Sequence, residues 1–249
     1  MALGSGGEAA VVVSTIRAKG DLLTEVLTLF RRTPDGVWGA GEEITRLPDI
    51  TFLIGLPDVA VDRYDRTTVV WRDQADDGRW QVLAGRARPD QPLHVVKVVA
   101  PDTGFTYESG PQLVANPDGG VMLVTWTRGN GALQARRWLP GGPHRNWGPI
   151  VSVAPQTDDV LFWSTAMERN GRVVAVWTRG GWFGTDGLGV LARRMNRYGD
   201  WGRLAEITSP TTHVLMPLAG EGADDSLAVW WQRRPGDRWV TRASAFLVD

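Results

Sequence analysis

A tryptophan near the end of a Val- and Thr-rich stretch recurs along this chain. Three segments align without gaps: Val124-Thr-Trp126-Thr-Arg128, Ala175-Val-Trp177-Thr-Arg179 and Val229-Trp-Trp231-Gln-Arg233. A fourth, Val69-Val-Trp71-Arg72-Asp73, keeps the tryptophan and moves the arginine by one place. Successive tryptophans stand 55, 51 and 54 residues apart. One interval earlier lies Val11-Val-Val-Ser14-Thr-Ile-Arg17, with Ser14 in the tryptophan place. A repeat of about 50 residues means that one supersecondary unit is copied, and that each copy buries its apolar face against its neighbour. Five such units use up the 249 residues.

A second anchor follows later in the unit. Trp38-Gly39 leads to Ile44, Trp147-Gly148 to Val153 and Trp201-Gly202 to Ile207, with the same gap each time. Unit two replaces this anchor with Leu93-His-Val-Val-Lys-Val-Val99, and unit five stops at Asp249 before reaching it. Within unit three, Gln112–Ala115, Val121–Thr127, Ala132–Leu139 and Trp147–Ala154 read as strands, rich in Val, Thr and Trp. Between them stand the turn sequences Asn116-Pro-Asp-Gly-Gly120 and Arg128-Gly-Asn-Gly131, and the loop opening Pro140-Gly-Gly-Pro143. Unit four repeats the order with Arg169-Asn-Gly171 as its first turn. Asp21–Arg32 aligns with strands elsewhere and alternates Thr24, Val26 and Thr28 with Glu25, Leu27 and Leu29, so it reads as strand.

Four strands per unit, five units and 30 glycines with 13 tryptophans describe an all-β chain: a five-bladed β-propeller of about 50-residue, four-stranded repeats. It forms one domain over 1–249, with units at 1–50, 51–104, 105–157, 158–209 and 210–249. The repeated tryptophan is expected to fill the wedge between neighbouring sheets. Unit one offers only Met1–Leu3 as its first strand, and unit five lacks its fourth. Such an open terminal edge invites pairing with another copy of the chain, so a homo-oligomer is an expected partner.

The strand-three motif Ala135-Arg-Arg137 and Ala192-Arg-Arg194, with a Gly/Asp loop before Trp, resembles the sialidase-type propeller superfamily. Thr33-Pro-Asp35-Gly36-Val-Trp38 is similar to that superfamily's Asp-box turn, and Tyr198-Gly-Asp200-Trp201 is a degraded form. These turns are structural in the superfamily. The blade count and tryptophan content also look like the tachylectin-type lectins, in architecture only. The sialidase resemblance implies an arginine cluster that holds a substrate carboxylate, a Tyr nucleophile supported by Glu, and an Asp acid/base. Tyr107 and Glu108 are adjacent here. On a strand they point to opposite faces, which departs from that pattern.

Other chemistry is bounded by composition. Twenty-seven basic and 28 acidic side chains leave a net charge of -1, which gives no broad electrostatic grip on nucleic acid or an acidic membrane. There is no cysteine, and the three histidines, His94, His144 and His213, are far apart. No P-loop, dinucleotide fingerprint or metal-ligand spacing appears, so neither cofactor nor metal is expected. Apolar runs such as Ala9–Val13 fall far short of the roughly 20 residues that span a bilayer. Met1–Glu8 lacks the basic and apolar regions of a signal peptide, and the compartment stays open.

Functional residues are expected where the repeat breaks. In a propeller, the connections from strand four to the next strand one share a face with those from strand two to strand three. The first set contains Phe52, Tyr107-Glu108, Asp158-Asp159, Trp163 and His213. Divergent aromatics and acids on a repeated frame are what one asymmetric site at the channel mouth requires. The second set starts from Arg17, Arg128, Arg179 and Arg233, with Arg72 nearby, a ring of guanidiniums suited to carboxylate or phosphate. The glycine-rich loop holding Trp182 and Phe183 is expected either to cover the mouth as a stacking surface or to pack against unit five. The first reading is a carbohydrate-binding, lectin-like module for a small molecule or glycan. The alternative is a small-molecule enzyme, a glycosidase or a cyclase/lyase of an apolar substrate. That enzyme would use Glu108, Asp158, Asp159 or His213 as acid/base.

Overall fold

The computed structural model describes residues 1–19, 22–50, 56–102, 110–116, 120–128, 131–139, 147–160, 162–180, 189–208, 214–221, 227–233 and 240–246. These residues form five antiparallel sheets in chain order. The first contains β1 (Ala2–Leu3), β2 (Ala9–Lys19), β3 (Leu22–Arg32) and β4 (Glu42–Ile50). The second contains β5 (Asp58–Val61), β6 (Thr67–Gln74), β7 (Trp80–Ala87) and β8 (His94–Asp102). The third contains β9 (Gln112–Ala115), β10 (Met122–Thr127), β11 (Leu133–Trp138) and β12 (Trp147–Ala154). The fourth contains β13 (Trp163–Met167), β14 (Val173–Arg179), β15 (Gly189–Met195) and β16 (Trp201–Glu206). The fifth contains β17 (Val214–Glu221), β18 (Leu227–Arg233) and β19 (Val240–Phe246). Strands pair in sequence order within each sheet, so the architecture is the five-bladed propeller expected from the repeat. Apart from a single 3-10 turn, the described residues are strand and loop, and no helix is long and apolar enough to cross a membrane.

One hairpin turn recurs in seven places among the described residues. In each copy the first residue's N–H donates to the carbonyl four positions on, and a residue in the left-handed region returns an N–H to the first carbonyl. It joins Gly4 to Glu8, Thr33 to Val37, Asp62 to Arg66, Ala75 to Arg79, Arg128 to Ala132, Glu168 to Arg172 and Asn196 to Asp200. The left-handed place is glycine in all but one copy, where Asp65 takes φ 59°. Only glycine occupies that region without a Cβ penalty, which is why the Gly-rich turns recur at matching offsets.

The core is layered between sheets instead of gathered at one centre. Trp71 packs with Ala10, Leu27 and Leu29 of the first sheet, and Trp126 with Val70, Val82 and Val98 of the second. Trp177 packs with Leu123, Leu133 and Val153 of the third, and the partly buried Trp231 against Val174, Val176 and Val190 of the fourth. Each tryptophan therefore fills the gap to the preceding sheet. Strand pairing corrects the register in the first unit. Ala9 opposes Leu3 as Val173 opposes Met167, so Val13, and not Ser14, stands in the tryptophan place. The one-residue slip flips the side chain to the other face. Ser14 instead donates its hydroxyl to the buried carboxylate of Glu25 at 2.6 Å.

Side chains tie consecutive sheets where their backbones are too far apart to pair. Near the axis, Asp58 accepts the Leu113 N–H at 2.8 Å. Gln112 donates to the Trp163 carbonyl at 2.8 Å and accepts from the Thr165 N–H at 3.2 Å. Ser164 accepts from the Ala219 N–H at 3.0 Å. Further out, the first arginine of each Ala-Arg-Arg motif is a staple. Arg136 bonds the Gly148 carbonyl of its own sheet and the Val98 carbonyl of the second. Arg193 bonds Gly202 of its own sheet and Val153 of the third. Among the described residues, no buried apolar cluster joins the fifth sheet to the first.

Candidate functional site

The connection from β12 to β13 carries a short helical turn. Pro155 opens a 3-10 turn over Gln156–Asp158, and Asp159 closes it in the left-handed region at φ 45°. The turn drops Asp158 into the fold, where it is 2% exposed. One carboxylate oxygen accepts the Trp177 indole N–H at 2.9 Å, and the other accepts the Arg179 Nε–H at 3.0 Å. Its backbone carbonyl also accepts the Gly180 N–H at 2.9 Å. The connection is thereby pinned to β14 by three bonds.

The neighbouring sheet meets the same point. The Val160 N–H donates to the Gly131 carbonyl at 2.8 Å. A Cβ at Gly131 would lie 2.5 Å from the Asp159 Cα, and the residue holds φ 77°, so glycine is required on both counts. This brings the Arg128–Ala132 turn of the third sheet, the 156–160 connection and the end of β14 into one cluster.

What this rim presents is a donor and an acceptor. Arg179 is fixed through its Nε, and 41% of its side chain stays exposed while Asp158 beneath it is 2% exposed. Asp159, next in the chain, is exposed. Arg128 is half-buried in the turn alongside. Asp158 itself is committed to its two partners and serves here as the positioning group. Among the described residues, no group of three or more His, Asp or Glu side chains stands ready for a metal.

Of the other residues singled out from the sequence, three are described with their side chains. Trp163 is 6% exposed and packs in the core between the third and fourth sheets, its indole N–H donating to Thr125 Oγ1 at 3.2 Å. Arg72 is buried and stacks on Trp80 at 4.8 Å, and Arg17 is exposed on β2. Phe52, Tyr107, Glu108, Trp182, Phe183 and His213 lie outside the described residues, as does the side chain of Arg233 at the end of β18. The Asp158–Trp177–Arg179 arrangement is not visible from sequence periodicity, because it depends on the burial of Asp158, which lies outside the repeated positions. Its signal is the Pro155-Gln-Thr-Asp158 run, a short polar turn directly before an apolar strand.

No family model and no curated protein matches this chain. Solved structures do. A mutant of the NanB sialidase from Streptococcus pneumoniae superposes with a TM-score of 0.53 at 14% identity, over 92% of this chain and 39% of that one. The leech intramolecular trans-sialidase gives 0.53 at 10% identity, over 96% and 42%. A protein of unknown function from Dyadobacter fermentans gives 0.54 at 12% identity, over 98% and 73%. The chain spans about two-fifths of the length of the two sialidases it resembles. The likeness is one of fold, and it bears out the sialidase-type propeller resemblance of the repeat.

Proposed function

We propose that this propeller is a carbohydrate-binding module, and that the rim of the third and fourth sheets holds its ligand. The observation carrying this reading is the Arg179 guanidinium, oriented from below by buried Asp158 and left partly exposed beside the exposed carboxylate of Asp159. Each sugar hydroxyl both donates and accepts, so recognition needs fixed donors and acceptors side by side. A guanidinium held through Nε directs its remaining N–H groups in a known plane, and the cost of ordering it has already been met by the fold. Glu108, Tyr107, Phe52 and His213, with Trp182 and Phe183 as a cover, enter this reading on the sequence argument alone.

Calorimetry of the whole chain against a panel of mono- and oligosaccharides tests it. Binding that falls about tenfold in Arg179→Lys and in Asp159→Asn supports the rim. Binding untouched by both changes removes it. Turnover of an aryl glycoside that is abolished in Asp159→Asn or Glu108→Gln, with ligand still bound, would move the assignment from binding module to enzyme.

A further inference from the structure

At the other end of the fourth sheet, beside its Glu168–Arg172 and Asn196–Asp200 hairpin turns, lies a cavity of about 420 Å³. Arg172, Arg194 and Arg203 line it, with Trp201, Asn196 and Asp200. Of the polar groups among these six side chains, the three guanidiniums and the indole are obligate donors. The Trp201 Nε1 is buried and has no hydrogen-bond partner among the described residues. The acceptors are partly occupied. Asn196 Oδ1 takes the N–H groups of Tyr198, Gly199 and Asp200, and Asp200 takes the Asn196 amide at 3.0 Å. Three cations face one carboxylate.

Comparison with the other sheets shows what is distinctive. Arg194 is the second arginine of its Ala-Arg-Arg motif, and strand register makes Arg31, Arg86 and Arg137 its equivalents. Arg31 donates to the Arg88 and Gln91 carbonyls of the next sheet. Arg86 stacks on Trp138 of the next sheet at 4.3 Å. Arg137 donates to the Arg197 carbonyl at 2.6 Å. These three are spent on holding sheets together, whereas Arg194 lines a cavity.

We propose that this cavity is an oxyanion-binding site, taking the carboxylate or sulfate group of a small organic ligand whose body lies over Trp201. Guanidinium groups match carboxylate and sulfate oxygens in pairs, and an oxyanion also gives the buried indole N–H its missing acceptor. Ala192, Met195 and Ala205 complete the lining with apolar surface, which suits a ligand with a compact ring as well as a charge. The site is separate from the rim at Arg179 and stands or falls without it.

The test is titration of the whole chain with sodium sulfate, with glucuronate and with glucose, followed by calorimetry and by the Trp201 indole N–H resonance, assigned by its loss in Trp201→Phe. Sulfate and glucuronate are expected to move that resonance and glucose to leave it in place, with affinity falling as salt rises. Arg203→Gln, at an exposed position, and Arg172→Gln should each weaken about tenfold the sulfate and glucuronate binding that this resonance reports. Sulfate binding without glucuronate binding would assign the site to an inorganic anion and overturn the organic ligand. Glucose moving the Trp201 resonance as glucuronate does, or a sulfate-induced shift unchanged in both glutamine variants, would overturn the site itself.

Discussion

Trp177 donates its indole N–H to Asp158 across 2.9 Å, and both side chains are buried. The tryptophan belongs to the repeat and the aspartate to the segment that breaks it. Their bond is where a structural motif shared by several sheets becomes specific to one of them.

Asp158→Ala should cost about 2 kcal/mol of unfolding free energy, because the buried indole N–H loses its acceptor and the 156–160 connection loses its anchor. The charge on Arg179 adds little to that figure, since its side chain stays partly in water. Urea unfolding measures it. Asp158→Asn keeps one acceptor and should cost about half as much. A loss below about 0.5 kcal/mol for the alanine variant would show that the connection holds without this contact.

The four repeated tryptophans should not respond alike. Trp71, Trp126 and Trp177 are at most 2% exposed, and truncation of any of them to Ala should cost about 3–5 kcal/mol. Trp231 is only partly buried at the fifth sheet, where less surface covers it. Trp231→Ala should therefore be distinctly milder, and equal losses across the four in a denaturant series would contradict the layered core described above.

The arginine staples are a separate source of cohesion between sheets. Arg136 and Arg193 each bridge two carbonyls on different sheets, which requires a planar fork. Replacing either by Lys should lower stability by about 1 kcal/mol, since one ammonium cannot hold both acceptors in the same geometry. Full tolerance at both positions would reduce the staples to surface decoration.

Asp58 sets a pH dependence with a definite sign. Burial holds its carboxyl above the ordinary value of 3.8, outweighing the N–H groups of Leu113 and Val59 that favour the charged form. The folded chain thus keeps this proton to a higher pH than the unfolded chain does. Stability contributed by the group falls as pH rises from 3.8 to the raised folded value, and is level above it. Asp58→Asn does not titrate, so the advantage of the wild type over this variant should shrink as pH rises through that window. Unfolding curves taken from about pH 3 to about pH 7 would read the trend, and an advantage that grows instead would reverse the assignment.

The repeat, the strand order and most turns were legible in the chain because they rest on local physics. Val, Thr and Trp favour extended backbone, and the glycines at Gly36, Gly78, Gly131, Gly171 and Gly199 supply the left-handed residue each turn needs. Asp65 shows the limit of that reading, since it fills the glycine place without the glycine. The first unit was displaced by one residue for a related reason. Val13 and Ser14 carry no tryptophan to anchor the alignment, and only pairing of Ala9 with Leu3 fixes which of them faces the next sheet.

Five copies of a β unit, four of them with a tryptophan between layers, could be read from the chain alone, because strand propensity and turn geometry act over a few residues. The segment from Asp158 to Trp163 also stood out as a departure from the repeat. What the described side chains of that segment do follows from the packing of the sheets around them. Asp158 is a buried anchor while Asp159 beside it is exposed, and Trp163 is core. Arg136 and Arg193 are staples, whereas Arg194 is left facing a cavity. Neighbours in sequence received these different roles because burial and partners are set by the adjacent sheet, about 50 residues away, and no local pattern records that distance.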